Sequence, residues 1–185
     1  LDLFIILAGS VVALLPVFAI DILEVGPEVL GLMRAMPALG AVTAGLVLTR
    51  LPAMRKTGTL LYSSLAIFSV AVLVFALSSN LWLSLAALLV YGATDMVSVN
   101  VRSTIIQLAT PDELRGRVNS VNSLFIATSN EMGSFRAGTV ATVIGPVSTV
   151  LLGGVMAVGV VVGGYLLFPT LRRLDRITDA RAPGP

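Results

Sequence analysis

The chain contains no cysteine and no histidine. That excludes disulfides, thiolate or imidazole metal ligands, cysteine nucleophiles and histidine acid–base chemistry within it. No G-x-x-x-x-G-K-[ST] run occurs, so nucleotide is not held through a P-loop. Charge is scarce too. Asp, Glu, Lys and Arg make up 12% of the residues, about half of the ~25% usual in a soluble domain. What remains is apolar: hydrophobic residues are 56% of the chain and the mean hydropathy is +0.98. Such a composition belongs in a lipid bilayer. Neither an enzyme nor a chain that holds a cofactor, a metal or nucleic acid is expected.

Apolar spans can be drawn over 1–20, 29–49, 58–77, 81–108, 118–144 and 148–168, each near the ~20 residues that cross a hydrocarbon core of ~30 Å. The connections are short and carry turn residues at Gly26-Pro27, Pro52, Ser78-Ser79-Asn80, Pro111, Gly145-Pro146 and Pro169. Short connections imply antiparallel neighbours. The expected fold is therefore all-α: a polytopic bundle of six transmembrane helices over 1–170, followed by a basic tail over 171–185. The first run has no basic leader and carries an acid at Asp2, which argues for a span rather than a signal peptide. Because it opens inside an apolar run, the chain is read as a fragment. Pro37 is expected to kink the second span. In the sixth, Gly159-x-x-x-Gly163 and the glycine pairs at 153–154 and 163–164 predict a close packing seam on an otherwise lipid-facing helix.

Loop charge alternates along the chain. Asp21, Glu24 and Glu28 follow the first span; Arg50, Arg55 and Lys56 follow the second. Asp112, Glu113, Arg115 and Arg117 follow the fourth, and Arg172, Arg173, Arg176 and Arg181 follow the sixth. No charge separates the third span from the fourth, or the fifth from the sixth. The loop cations thus share one side, which the positive-inside rule makes cytoplasmic, together with the C-terminus.

The stretch 91–138 departs from this simple picture. Asp95, Arg102, Glu131 and Arg136 lie within apolar spans, and each would cost about 2.5–3.5 kcal/mol facing lipid at mid-depth. They are expected to face protein, each other or a wet cavity. Asp95 and Glu131 lie about 21 and 20 Å below the outer ends of their spans at ~1.5 Å per residue, so in a hairpin they are level near mid-depth. Arg102 lies about 10 Å deeper, where it serves either as an interface anchor or as a substrate contact. Tyr91, Asp95, Ser98 and Arg102 share one helical face. Asn119, Asn122, Ser129, Gly133 and Arg136 form a second stripe, with Glu131 off it. Arg34 is a further charge inside the second span. Two readings stand open for Asp95 and Glu131: a polar pathway through the bundle, or ion pairs that lock helices together. A carboxyl removed from water favours its neutral form unless paired, and an unpaired one is able to carry protons.

The turn P-D-E-L-R-G-R-V-N-S-V-N-S-L-F, preceded by G-A-T-D-M-V-S-V-N-V-R, resembles the loop between the tenth and eleventh helices of the major facilitator superfamily, and most closely its enterobactin-exporter-like, or transmembrane secretion effector, branch. L-D-L-F, A-L-L-P-V-F-A, G-L-M-R-A-M-P-A-L-G-A, S-N-E-M-G and L-F-P-T-L-R-R-L-D are similar to that branch as well. Two positions depart from it. Ser134 stands where relatives often carry a second acid, and the loop 45–58 keeps basic residues and Gly58 but not the Asp of the G-x-x-x-D-R-x-G-R-R signature.

The resemblance implies helices seven to twelve of a twelve-helix transporter, built as a 3+3 inverted repeat. Spans one and four would line the cavity, two and five would meet the missing N-terminal half, and three and six would face lipid. It implies a proton-coupled exporter of a small-molecule substrate, such as a siderophore or an amphipathic drug, in a bacterial inner membrane. The proton and substrate pathway would run through Asp95, Glu131, Tyr91, Ser98, Arg102, Asn122, Arg136 and Arg34, with a cytoplasmic gate at Asp112, Arg115 and Arg117. The alternatives are a non-transporting membrane scaffold or assembly subunit, and an intramembrane aspartyl protease suggested by Gly92-Ala-Thr-Asp95. The protease would need a second facing acid.

Overall fold

The computed structural model describes residues 11–50 and 57–167. Asp2, the loop cations Arg55 and Lys56, and the basic tail with Arg172, Arg173, Arg176 and Arg181 lie outside the described residues. Among the described residues all regular structure is helical: α1 (Val12–Ile22), α2 (Pro27–Arg50), α3 (Thr57–Leu77), α4 (Leu81–Ala109), α5 (Arg115–Ile144) and α6 (Pro146–Leu167). Helices α2, α3, α4 and α6 are long and apolar enough to cross a membrane. Helix α5 has 30 residues, about 45 Å at the helical rise, but it carries too many polar groups to qualify on hydropathy.

Local chemistry explains the helix ends. Asn80 caps α4: its Oδ1 accepts the backbone N–H groups of Trp82 at 2.9 Å and Leu83 at 3.4 Å, two of the donors that a helix start leaves open. Between α5 and α6 stands one residue, Gly145, at φ 85° and ψ 160°, a conformation open essentially to glycine alone. Pro146 then begins α6, where a missing N–H costs nothing. Helix α1 is irregular. A 3-10 turn (Val12–Leu14) passes through one α turn containing Pro16 into a π turn (Phe18–Ile22). It closes with Glu24 at φ 50° and the Val25 N–H bonded to the Ala19 carbonyl at 2.9 Å.

Two close helix pairings organise the bundle. The first joins α2 to α4, where backbone meets backbone. A methyl on Gly40 would lie 2.9 Å from the Ala93 nitrogen, and one on Gly92 would lie 2.5 Å from Pro37 Cα, with the Leu89 and Pro37 carbonyl oxygens closer still. Helix α2 runs on through Pro37, and the α4 backbone is seated at that proline. The second pairing joins α3 to α6. Thr149, Val150, Gly153, Gly154, Ala157, Val161 and Gly164 are buried at helical spacing along α6. There Gly154 admits the Leu73 side chain, and the Tyr62 hydroxyl donates to the Gly164 carbonyl at 2.9 Å. The packing seam expected on α6 is therefore this row. Gly159 and Gly163 have nothing within 4 Å of where a Cβ would stand, so the G-x-x-x-G pair itself is not the contact.

Helix α4 packs on α2 and α3, whereas α5 packs on α6 and the start of α1. Exchanging the first three helices with the last three maps the α2–α4 contact onto α5–α1, and α3–α6 onto itself, whereas the α3–α4 contact has no comparable α6–α1 counterpart among the described residues. Phe18 and Phe75, with ring centroids 4.7 Å apart, pack in the core with Leu15, Met33, Val72 and Leu88.

Candidate functional site

The hairpin expected from α4 and α5 is splayed: each helix packs mainly on others, and a cavity of about 160 Å³ lies where they face each other. Tyr91, Asp95, Val99 and Arg102 of α4 form one wall, four positions whose spacing puts them on one helical face. Ile126, Asn130 and Ser134 of α5 stand opposite, and Val12 and Ala13 of α1 and Phe68 of α3 close the sides. Phe68 and Tyr91 pack ring on ring, with centroids 4.6 Å apart and planes tilted by 32°, which gives the cavity a rigid aromatic side. Among the described residues Asp95 makes no salt bridge and no hydrogen bond. The lock to an arginine, left open by the sequence, is not formed there.

The expected pathway residues separate into distinct places. Tyr91, Asp95 and Arg102 come together in the cavity. Ser98 is buried in helix packing, off the cavity wall. Asn122 is half-buried, also outside the wall, and Arg34 is exposed on α2. Glu131 and Arg136 lie around the helix from the cavity, in an open groove shared with Met132 and Phe135. The stripe drawn through Asn119, Asn122, Ser129, Gly133 and Arg136 divides as well: Ser129 and Gly133 are the residues that α5 buries, with Ala137. Sequence reasoning missed Phe68, Asn130 and Ser134 as lining residues. The spacing of four between Ile126, Asn130 and Ser134 carried the signal on α5. Nothing local marks Phe68, which arrives from another helix.

The turn between α4 and α5 is exposed. Thr110 is extended ahead of Pro111, as the proline ring requires. Asp112 and Arg115 form an ion pair, and the Arg115 guanidinium reaches the Gln107 carbonyl at 3.5 Å, one of the acceptors left open at the end of α4. Arg117 is exposed.

The protease suggested by the sequence would need a second acid facing Asp95. Among the described residues no second acid lines the cavity, and Gly92 of the Gly92-Ala-Thr-Asp95 sequence is taken up by the α2 contact. Among the described residues no group of three or more candidate metal ligands occurs.

Known proteins agree with the fold. The profile of a family described as transmembrane secretion effector matches residues 2–185. The enterobactin exporter of Citrobacter koseri is 27% identical over 179 residues, covering 97% of this chain and 41% of that protein. The enterobactin exporter of Shigella flexneri is 26% identical over 170 residues, covering 92% of this chain and 40% of that protein. The chain thus spans about two fifths of the length of these curated relatives. No solved structure matches it. With a profile match along nearly its whole length and an all-helical, membrane-spanning architecture, the chain belongs to the transmembrane secretion effector family of the major facilitator superfamily.

Proposed function

We propose that this chain is the C-terminal half of a proton-coupled exporter of a small molecule, with Asp95 as the coupling carboxylate. One observation carries the reading: Asp95 lines a cavity at mid-helix and forms no salt bridge among the described residues, Arg102 standing further along the same wall. A carboxyl removed from water and left unpaired is poised to exchange a proton when the cavity changes access. Tyr91, Phe68, Asn130 and Ser134 supply an aromatic side and hydrogen-bonding groups for a ligand in the same space. The remaining helices of the transporter close the cavity from the side on which α2 and α5 are exposed. Enterobactin, the substrate named for the relatives, is the first compound to test.

The chain sits in a bacterial inner membrane, with the turn at 112–117 and the C-terminus in the cytoplasm, on the side of the loop cations. Arg117, exposed at that turn, latches the cytoplasmic side against the other half. The test of the coupling role is uptake into inverted vesicles bearing the full-length transporter, with and without an imposed pH gradient. Asp95→Asn is expected to abolish the gradient-driven component and leave substrate binding in place. Full gradient-driven uptake by Asp95→Asn would end the assignment.

A further inference from the structure

A groove of about 530 Å³, open along one side, lies between α3 and α6. It shares no lining residue with the Asp95 cavity. Tyr62 and Val161 are buried and form its floor. Thr59, Ser63 and Ala66 of α3, and Val162 and Tyr165 of α6, are exposed along its two sides. The floor is held in place from both helices. The Tyr62 hydroxyl donates to the Gly164 carbonyl at 2.9 Å, and the Tyr62 ring meets that of Tyr165 edge to face, with centroids 5.5 Å apart. Gly159 stands on the same face of α6 as Val162, one turn deeper, and nothing lies within 4 Å of where its Cβ would be. No side chain from that turn of α6 closes the lower end.

The depth of the groove matches one leaflet. Helix α3 starts at Thr57 and α6 ends at Leu167, so Thr59 and Tyr165 both stand about 3 Å inside the same end of the bundle. Ala66 and Gly159 lie about 12–14 Å from that end, near the middle of a hydrocarbon core of ~30 Å. Hydroxyl groups of Thr59 and Tyr165 are thus at the mouth, at the level where tyrosine gathers in membrane proteins. Alanine, valine and glycine lie below. Polar above apolar within a half-thickness is the profile of a phospholipid. The sequence adds a sign of charge. Lys56 directly precedes α3, and Arg172 and Arg173 follow α6 within six residues. These cations lie outside the described residues, and among the described residues no charged side chain lines the groove. Lys and Arg clustered beside the cytoplasmic ends of spans attract anionic lipid.

We propose that the groove between α3 and α6 is a site for one anionic phospholipid of the cytoplasmic leaflet, with an acyl chain over Tyr62 and Val161 and the headgroup beyond Thr59 and Tyr165. This is more than a helix pair facing the bilayer. A floor fixed by a hydrogen bond between the helices selects one lipid by shape and charge, while the rest of the lipid-facing surface exchanges its lipids freely. The assignment to the cytoplasmic leaflet rests on the membrane orientation proposed above; the site itself does not.

The experiment titrates the full-length transporter, purified in a mild non-ionic detergent, with phosphatidylglycerol or with zwitterionic phosphatidylcholine, and counts retained lipids by native mass spectrometry. One phosphatidylglycerol is expected to be held about tenfold more tightly than phosphatidylcholine, the preference that one or two nearby cations confer. Equal retention of the two lipids overturns the anionic assignment. Ala66→Trp fills the groove from an exposed position and should abolish the tight site. Ile67→Trp is the control: Ile67 is 49% exposed on the same helix but does not line the groove, and its replacement should change nothing. Equal effects of the two substitutions overturn the groove and leave only ordinary lipid contact. Melting temperatures in lipid-free detergent, matched to the parent, show that both variants are folded. Should Ala66→Trp fail that check, Val162→Trp fills the groove from the other side and is read in the same way. Displacement of the bound phosphatidylglycerol by enterobactin would make the groove a substrate site and also overturn the proposal. Orientation is read separately. Labelling of Arg173→Cys from the periplasmic side, in a background without other accessible cysteines, would overturn the leaflet and the proposed orientation while the retained lipid still marks the site.

Discussion

Helices α3 and α6 carry no charged residue within their described lengths, whereas α4 and α5 hold Asp95, Arg102, Glu131 and Arg136. The two pairs differ in packing as they differ in chemistry. The α3–α6 pair closes along a row of small residues, with one tyrosine hydroxyl bonded across it. The α4–α5 pair stays apart and leaves the cavity between its helices. Apolar side chains gain little from leaving lipid for protein, so helices in a bilayer associate where small residues let backbones and side chains interlock. Polar side chains gain a great deal from leaving lipid, and they collect where protein surrounds a space that lipid cannot enter. The first pair is a wall and the second frames a cavity, the candidate site.

The largest expected effect lies where the site meets its support. Gly92 is on the Asp95 helix, and its Cα faces the Pro37 backbone of α2. Backbone cannot swing aside as a side chain can. Gly92→Ala should therefore destabilise the full-length transporter by about 3 kcal/mol, at the upper end of the cost of overpacking. Thermal unfolding in detergent would measure it. A melting temperature within a degree of the parent would show that α2 and α4 are not in backbone contact, and would remove the brace from the α4 side of the cavity.

Next comes a loss confined to function. Asp95→Asn is nearly isosteric and should leave unfolding unchanged while gradient-driven uptake disappears. In the wall, Tyr62→Phe should do the reverse. It removes the hydrogen bond to the Gly164 carbonyl, costs about 1 kcal/mol, and leaves transport rates alone. If Tyr62→Phe impairs uptake as much as Asp95→Asn does, then wall and site are not separable.

Much of this contrast was legible in the residues. Hydropathy separates the spans because it reports lipid against water, and it singles out the third and sixth as free of charge. The spacing of Tyr91, Asp95 and Arg102 places them on one face, and that face does line the cavity. What spacing does not report is which helix a face will meet. A step from Asn130 to Glu131 turns the side chain by about 100°, and this one step separates the cavity from the open groove around the helix. Phe68 enters the site only through the way α3 is placed. The glycines of α6 show the same limit. Gly153 and Gly154 are buried against the bundle while Gly159 and Gly163 look out into open space, although all four read alike in the sequence. The irregular turns of α1 flank a proline, Pro16, in an apolar run where hydropathy alone draws an unbroken helix.

A finer test compares glycines within the wall. At Gly154 an added methyl would come 2.6 Å from Leu73 Cδ2, the far end of a flexible side chain that is able to turn away. Gly154→Ala should cost about 1 kcal/mol, the mild end of overpacking. Gly159→Ala meets nothing and should change stability by less than about 0.5 kcal/mol, as a substitution away from any packed feature does. Equal and large losses at both positions would mean that a further protein surface covers Gly159.

The smallest effect is expected at the exposed turn that joins the two helices of the site. Asp112 and Arg115 pair there, at 85% and 47% side-chain exposure respectively, and an ion pair so open to solvent contributes only about 0–1 kcal/mol. Asp112→Asn should therefore leave unfolding of the transporter almost unchanged. It does release Arg115 from its carboxylate, leaving the Gln107 carbonyl as the remaining local acceptor. If the turn acts only to anchor α4 and α5 at the membrane surface, transport will be as indifferent as stability. If the turn latches against the other half, Asp112→Asn will alter transport without moving the melting temperature. Arg117→Glu will then alter it further, because Arg117 is exposed and forms no salt bridge among the described residues. Uptake rates of the two variants, measured beside their unfolding curves, separate an anchor from a latch. Normal uptake by Arg117→Glu in a fully inserted protein would leave the turn as an anchor, and the site would begin only at Arg102.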